Sequence, residues 1–371
     1  MNTMDDAKVH AARMQQVNAT QLAEILRANL HIDDVHEREN VMVAGAPGIG
    51  KSQVAEQVAH ECNADYVAMH PGIEDPTVPG GFPFVVDGRA CFLPFGNMRK
   101  LVEATTLTLA HLEDLGTAPH AVQAAYMQAI EARCVGEHKI SPHVMWVATT
   151  NRRTDRAASN GGIIEPTKGR FCIVELVPDF EVWVREFAIP RNINPMIIAF
   201  HRLRVNTDNG TPLHFSDFAP TAELTNSPSP RNWNSVSRIL RMNLSTESER
   251  ACITGRVGAV AATEFCGFKR LYAEMPNLSL CISDPDNAPV PTKPDVLCAL
   301  ATALAAQCSI KTWPSIARYA QRLISNSAAE YAALMINDCT RRCGIVIVDT
   351  QEYSTLATGE LGAMMSATLE A

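Results

Sequence analysis

No Cys-x-x-Cys pair occurs among the eleven cysteines of this 371-residue chain. The closest spacing is Cys339 to Cys343, and no further ligands stand nearby at zinc-site spacing. A zinc module is thereby excluded, and reduced, buried thiols in a cytoplasmic protein are expected. No run of lysine or arginine occurs, and the formal net charge is −8. That balance argues against a broad basic face for nucleic acid, while leaving room for a narrow channel. The longest uncharged run, 296–310, is too short to cross a bilayer and rich in alanine, so it reads as a core helix and no membrane partner is expected. The opening residues carry no secretory signal pattern. Internal repeats and low-complexity tracts are also missing. What remains is 46% hydrophobic and 19% charged, ordinary for a globular protein long enough for two or three domains.

The pattern changes along the chain. Residues 1–39 are polar, with one helical segment at 20–30, and read as a lead-in. From 40 to about 177, apolar strands alternate with helical patterns, which predicts an α/β fold with a parallel sheet and helices on both faces. Strands are expected at 40–44, 65–69, 106–112, 144–150 and 171–177. Two hairpins interrupt them, one around the Asp87-Gly88 turn and one within 133–143. Beyond 179 the pattern becomes helical, with breaks at 206–230 and 284–294.

The stretch Gly45, Ala46, Pro47, Gly48, Ile49, Gly50, Lys51, Ser52 follows the first strand and opens a helix expected at 52–62. A phosphate needs these residue types. Glycines let backbone N–H groups curl around the anion, and the helix turns the positive end of its dipole toward it. Lys51 reaches the β- and γ-phosphates, and the Ser52 hydroxyl ligates Mg²⁺. The strand–loop–helix setting implies a nucleoside-triphosphate site.

Two further strand ends fit that site. The strand at 106–112 ends in Glu113-Asp114, the acidic pair that holds the Mg²⁺ shell and orients the attacking water. It is followed by Leu115-Gly116-Thr117-Ala118 and a helix with Pro119 at its first position and Val122, Ala125, Tyr126, Ala129 and Ile130 on its apolar face. The strand at 144–150 delivers Asn151, an amide suited to hold water or the γ-phosphate.

Taken together, these segments resemble an AAA+ ATPase and, within that superfamily, the MoxR family. Gly45 to Ser52 matches Walker A, Glu113-Asp114 matches Walker B, and Ala148-Thr149-Thr150-Asn151 matches sensor 1. Gly169-Arg170-Phe171 and Ser229-Pro230-Arg231 also match. The resemblance covers about residues 20–245. It implies a P-loop NTPase AAA+ core with a parallel sheet at 40–180, an all-helical lid at 181–260 and a C-terminal helical extension at 261–371. It implies ATP with Mg²⁺, Arg170 as an arginine finger and Arg231 as sensor 2. It also implies a homo-oligomer, a hexamer, acting as a chaperone-like remodeller of a protein partner that carries a von Willebrand factor A domain. Residues 79–84 are candidates for a pore lining. The family's usual acidic order is Asp then Glu. Here Glu113 takes the metal position and Asp114, shorter by a methylene, the catalytic one. If Asp114 held the metal instead, Leu115 would stand at the base position.

Two other functions share the same loop. A nucleic-acid motor or loader is disfavoured by the net charge and by the lack of an attached zinc or helix-turn-helix module. A nucleotide-gated binding module with slow turnover is favoured only by the acidic order. A P-loop kinase would need neither a trans-acting arginine nor a large helical lid.

Overall fold

The computed structural model describes residues 14–155, 162–204, 211–219, 221, 223–272, 274–358 and 361–362. It divides into one unit of residues 1–179 with 218–222, and a second of 180–217 with 223–371.

The first unit is a parallel sheet between two helical layers. Its strands are β1 (Gln15–Val17), β2 (Val41–Ala44), β3 (Asp65–Met69), β6 (Thr108–Leu112), β9 (Val144–Thr150) and β10 (Cys172–Leu176). Their spatial order is β1-β10-β2-β9-β6-β3, and neighbours run parallel throughout. The central strands are apolar at consecutive positions because both sheet faces are covered. Val41, Val43, Leu109, Met145 and Val147 face one layer with helices Ala19–Leu30 and Lys51–Glu61. Met42, Ala110, Leu112, Trp146 and Ala148 face the other with Gly96–Val102 and His120–Glu131. Period-two alternation thus sorts neighbouring residues into separate cores.

Helix Ala19–Leu30 starts at a capping box between Asn18 and Gln21 and buries Leu22, Leu26 and Leu30 along one stripe. Each such leucine is worth about 1.5–3 kcal/mol of burial. The expected strands form with ends trimmed by a residue or two. β1 is an additional edge strand from the lead-in. Pro119 precedes the helix as its N-cap, where the sequence reading puts it inside. On that helix Gln123 is buried and Ala125 is half-buried. Gln123 donates to Ala118 O and Gly162 O and accepts from Ile164 N, so its amide is fully used.

Two hairpins form as expected. β4 (Phe82–Val86) and β5 (Arg89–Leu93) pair across Asp87-Gly88, and β7 (Cys134–Val135) pairs with β8 (His138–Lys139). Pro79 is buried in the short helix before β4, so of the segment 79–84 it is the aromatic end, Phe82 and Phe84, that reaches solvent.

The second unit is helical. One core gathers helices Pro195–Arg202, Pro230–Ile239, Thr246–Val257 and Ala259–Tyr272, and another gathers Pro294–Ala306, Trp313–Ser325 and Ala329–Cys343. Every residue from Val296 to Ala305 is buried, which is why that stretch carries no charge. Among the described residues no helix is long and apolar enough to cross a membrane. The eleven cysteines are free thiols, but Cys172 and Cys252 are exposed, so uniform burial does not hold.

Candidate functional site

The chain leaves β2 toward β3 on one side and leaves β9 toward β10 on the other, so β2 and β9 flank the reversal of strand order. Ligands of open α/β sheets bind outside the carboxyl ends of strands at such a point. The loop after β2 and Asn151 after β9 lie there, with Glu113 and Asp114 after the adjacent β6.

The loop is shaped by its glycines. Gly48 and Gly50 have φ of 78° and 106°, conformations in which a side chain is strained. A Cβ placed on Gly45 would stand 2.7 Å from Ile49 Cδ1 and 2.9 Å from Leu176 O. Helix Lys51–Glu61 follows directly, with Ser52 half-buried in its first turn. Its leading N–H groups and dipole favour an anion at that end. Lys51 is 7% exposed, and its Nζ donates to Gly45 O (2.9 Å), Ala46 O (3.0 Å) and Asn151 Oδ1 (2.9 Å). The glycine-shaped cradle, the helix start and the ammonium together fit a phosphate.

Asn151 links the loop to the acidic pair. Its amide Nδ2 donates to Asp114 Oδ1 across 3.4 Å while its Oδ1 receives Lys51. Asp114 sits at φ 47°, ψ 44°, a left-handed conformation that aspartate tolerates better than most residues. Its backbone is pinned from both sides. The N–H donates to Thr149 Oγ1 (3.3 Å), and the carbonyl accepts from Thr117 N and Thr117 Oγ1, both at 2.8 Å. Glu113 lies beside it, with Oε2 3.1 Å from His70 Nδ1 and Oε1 3.7 Å from His111 Nδ1.

His111 is the part of this site that sequence reasoning misses. It is fully buried in β6, and its ring touches Thr149 Oγ1 at 3.0 Å and Tyr66 Oη at 2.5 Å. Burial lowers its pKa to about 4, with His70 adding to the shift, so the ring is neutral at neutral pH. Burial likewise raises the Tyr66 phenol, helped by Glu113. Through Thr149, His111 supports the backbone of Asp114. The only signal in the sequence is a histidine inside an otherwise apolar strand. Tyr66 and His70 give none, and Thr149 enters only as part of the segment that delivers Asn151.

Arg170 is elsewhere in the first unit. It precedes β10, and Asn40 Nδ2 donates to its carbonyl, so it stands at the start of the strands. The loop is at their other end, about 16 Å of strand away. Its guanidinium holds Glu131 through Nε at 2.9 Å and NH2 at 2.5 Å, and also bonds Pro166 O. The nearby Arg152 is committed to Asp155 and Glu175. Arg231 belongs to the second unit, where Ser229 caps helix Pro230–Ile239 by accepting from Asn232 N and leaves Arg231 exposed in the first turn.

Among the described residues no group of three or more His, Cys, Asp or Glu side chains is arranged to hold a metal ion.

No family model and no curated protein matches this sequence. Among solved structures, the RuvB Holliday junction branch migration motor of Thermotoga maritima is similar at 15% identity, over 80% of this chain and 85% of that one, with a TM-score of 0.39. NtrX of Brucella abortus, solved in complex with ADP, is similar at 15% identity over 98% of this chain and 71% of that one, with a TM-score of 0.35. At such identities the activity has to rest on this chain's own residues.

Proposed function

We propose that this chain is an ATP-binding and ATP-hydrolysing AAA+ protein of the MoxR-like kind, working as a ring-forming remodeller of a protein partner. The observation that carries the reading is the continuous line Lys51–Asn151–Asp114 at the carboxyl ends of β2, β9 and β6. Residues Gly45 to Lys51 receive the triphosphate. Ser52 and Glu113 hold Mg²⁺, which when bound neutralises charge on the phosphate oxygens. Asp114 orients the attacking water, and Asn151 fixes Asp114 relative to Lys51. A carboxylate shorter by one methylene than the usual glutamate makes turnover slow.

Ring assembly follows from Arg170. An arginine about 16 Å of strand from its own loop is placed to reach a neighbour's γ-phosphate and not its own. Within a subunit Glu131 holds it in reserve. A hexamer, Arg231 as the lid arginine and a partner with a von Willebrand factor A domain belong to the same proposal. The hairpin residues Phe82 and Phe84, 54% and 58% exposed, are candidates to grip that partner.

ATP titration tests the site. Lys51→Ala should weaken binding about a hundredfold, the scale of lost charge-assisted bonds, and unchanged affinity overturns the reading. Asp114→Asn should keep ATP bound and stop hydrolysis; normal turnover in that variant would mean the acidic register is wrong. Phosphate release measured with added DNA and with a co-purifying protein separates a remodeller from a nucleic-acid motor. Stimulation by DNA alone favours the motor.

A further inference from the structure

Three of the free thiols meet in the second unit, remote in sequence from the residues of the candidate site. Cys308 follows helix Pro294–Ala306, with its N–H on Ala305 O, while Cys339 and Cys343 lie one turn apart at the end of helix Ala329–Cys343. The Cys343 thiol donates to Cys308 Sγ across 3.6 Å, and the buried Cys339 stands beside them one helical turn before Cys343. Cys308 and Cys339 are buried, and Cys343 is half-buried at the edge of the cluster.

We propose that Cys308 and Cys343 form a reactive dithiol, with Cys308 as nucleophile and Cys343 as resolving thiol, oxidised to a disulfide by hydroperoxides. The geometry sets the roles. Cys343 donates to the Cys308 sulfur, so the charge of a thiolate is accommodated on Cys308. The neighbouring Cys339 holds the Cys308 pKa below the usual thiol value, against burial, with Cys343 and the Arg342 charge assisting. Burial and the neighbouring Cys308 raise Cys343 to about 11, which keeps it protonated until it is used.

Atoms balance in two steps. The Cys308 thiolate attacks the terminal oxygen of the hydroperoxide. An S–O bond forms, the O–O bond breaks, and the leaving alkoxide takes the proton Cys308 released. Cys343 sulfur then attacks Cys308 sulfur, and hydroxide leaves with the Cys343 proton as water. Two thiols lose two electrons and the peroxide gains them. The sulfurs close from 3.6 Å to a bond of about 2.05 Å. The link would join residues 35 apart, which restricts the unfolded chain. It would tie the end of helix Pro294–Ala306 to the end of helix Ala329–Cys343 across the intervening helix Trp313–Ser325.

The intact protein treated with hydrogen peroxide, acid-quenched, unfolded in an alkylating reagent and digested tests this by mass spectrometry. A peptide pair linked through Cys308 and Cys343 is expected. Oxidation there should exceed that at the exposed Cys172 and Cys252 about tenfold, as thiolate character predicts. The oxidised protein should melt at a higher temperature, and dithiothreitol should reverse the shift. In Cys343→Ser, dimedone should label Cys308, and in Cys308→Ser the Cys343 thiol should stay reduced. Faster oxidation of Cys172 and Cys252, or a wild-type link from Cys308 to Cys339, overturns the assignment.

Discussion

Both units bury charged and polar side chains, yet they spend them differently. In the first unit, Lys51, His111, Thr149 and Asn151 converge on one end of the sheet and on the exposed mouth of a loop. In the second, Arg202 is locked in a closed ion cluster between helices. It meets Asp338 through NH1 at 2.6 Å and NH2 at 3.0 Å, and Glu181 at 3.3 Å, while Arg341 reaches Glu181 at 3.1 Å. Burial alone would raise the Glu181 carboxyl, but Arg202 and Arg341 bring it below its ordinary value. A buried cation by itself therefore does not mark a functional site. What marks one is a set of partners arranged around a space that an anion fits. The buried histidines repeat the contrast. His111 has Tyr66 and Thr149, whereas His201 sits among Phe180, Phe200, Phe215 and Trp233 with its ring 4.5 Å from the tryptophan.

The largest effect is expected at Arg170, which tests whether the first unit's site is complete in one chain. Arg170→Ala should retain ATP binding and lose about a thousandfold in hydrolysis, as an arginine finger predicts. Mixing it with Lys51→Ala subunits should restore part of the activity, because one contributes a sound loop and the other a sound arginine. Its ion pair with the exposed Glu131 is worth about 1 kcal/mol at most, so stability should barely change. A large drop in melting temperature with no rescue on mixing would make Arg170 structural.

Arg202→Met probes the second unit and should leave the buried Asp338, and the half-exposed Glu181 beside it, without their main cation. Removing one partner of a buried pair costs about 3–5 kcal/mol, read as a lower urea midpoint. ATP affinity per folded molecule should stay as it was. If instead affinity fell while stability held, the cluster would belong to the site.

Much of this arrangement is legible in the sequence, for reasons that also explain what is not. The loop, the acidic pair and Asn151 are local signals, since each depends on residues adjacent in the chain and follows an apolar strand. β9 matches its expected ends because this central strand is buried throughout and a polar turn marks where it stops, and the edge strand β3 matches its ends as well. β1 escapes because only Val17 of its three residues is buried. The His111–Thr149–Asp114 support joins the ends of two strands far apart in sequence, β6 and β9, and the Arg202 cluster joins residues 136 and 160 positions apart. Neither leaves a spacing to read. Arg170 is a different case: the motif points to it, but only the sheet shows that it stands opposite its own loop.

The smallest effect separates the two histidines. Burial holds His201 at about 3 and His111 at about 4. The unfolded chain protonates both near 6.5, so it binds more protons than the fold between that pH and 4, and stability falls as the solution is acidified. Each histidine should account for about 2 kcal/mol lost by pH 5. Substitution then tells them apart. His201→Leu should flatten the pH slope with little cost at pH 7, because among the described residues neither ring nitrogen has a hydrogen-bond partner to lose. His111→Leu should flatten the slope equally but cost about 1–3 kcal/mol at pH 7, the penalty for leaving Thr149 and Tyr66 without their shared partner. It should also slow ATP hydrolysis by loosening Asp114. Hydrogen exchange read separately over Thr108–Leu112 and Pro195–Arg202 assigns each change to its unit. Equal costs at pH 7 would mean that the polar groups of the first unit are held no more tightly than the aromatic cage of the second.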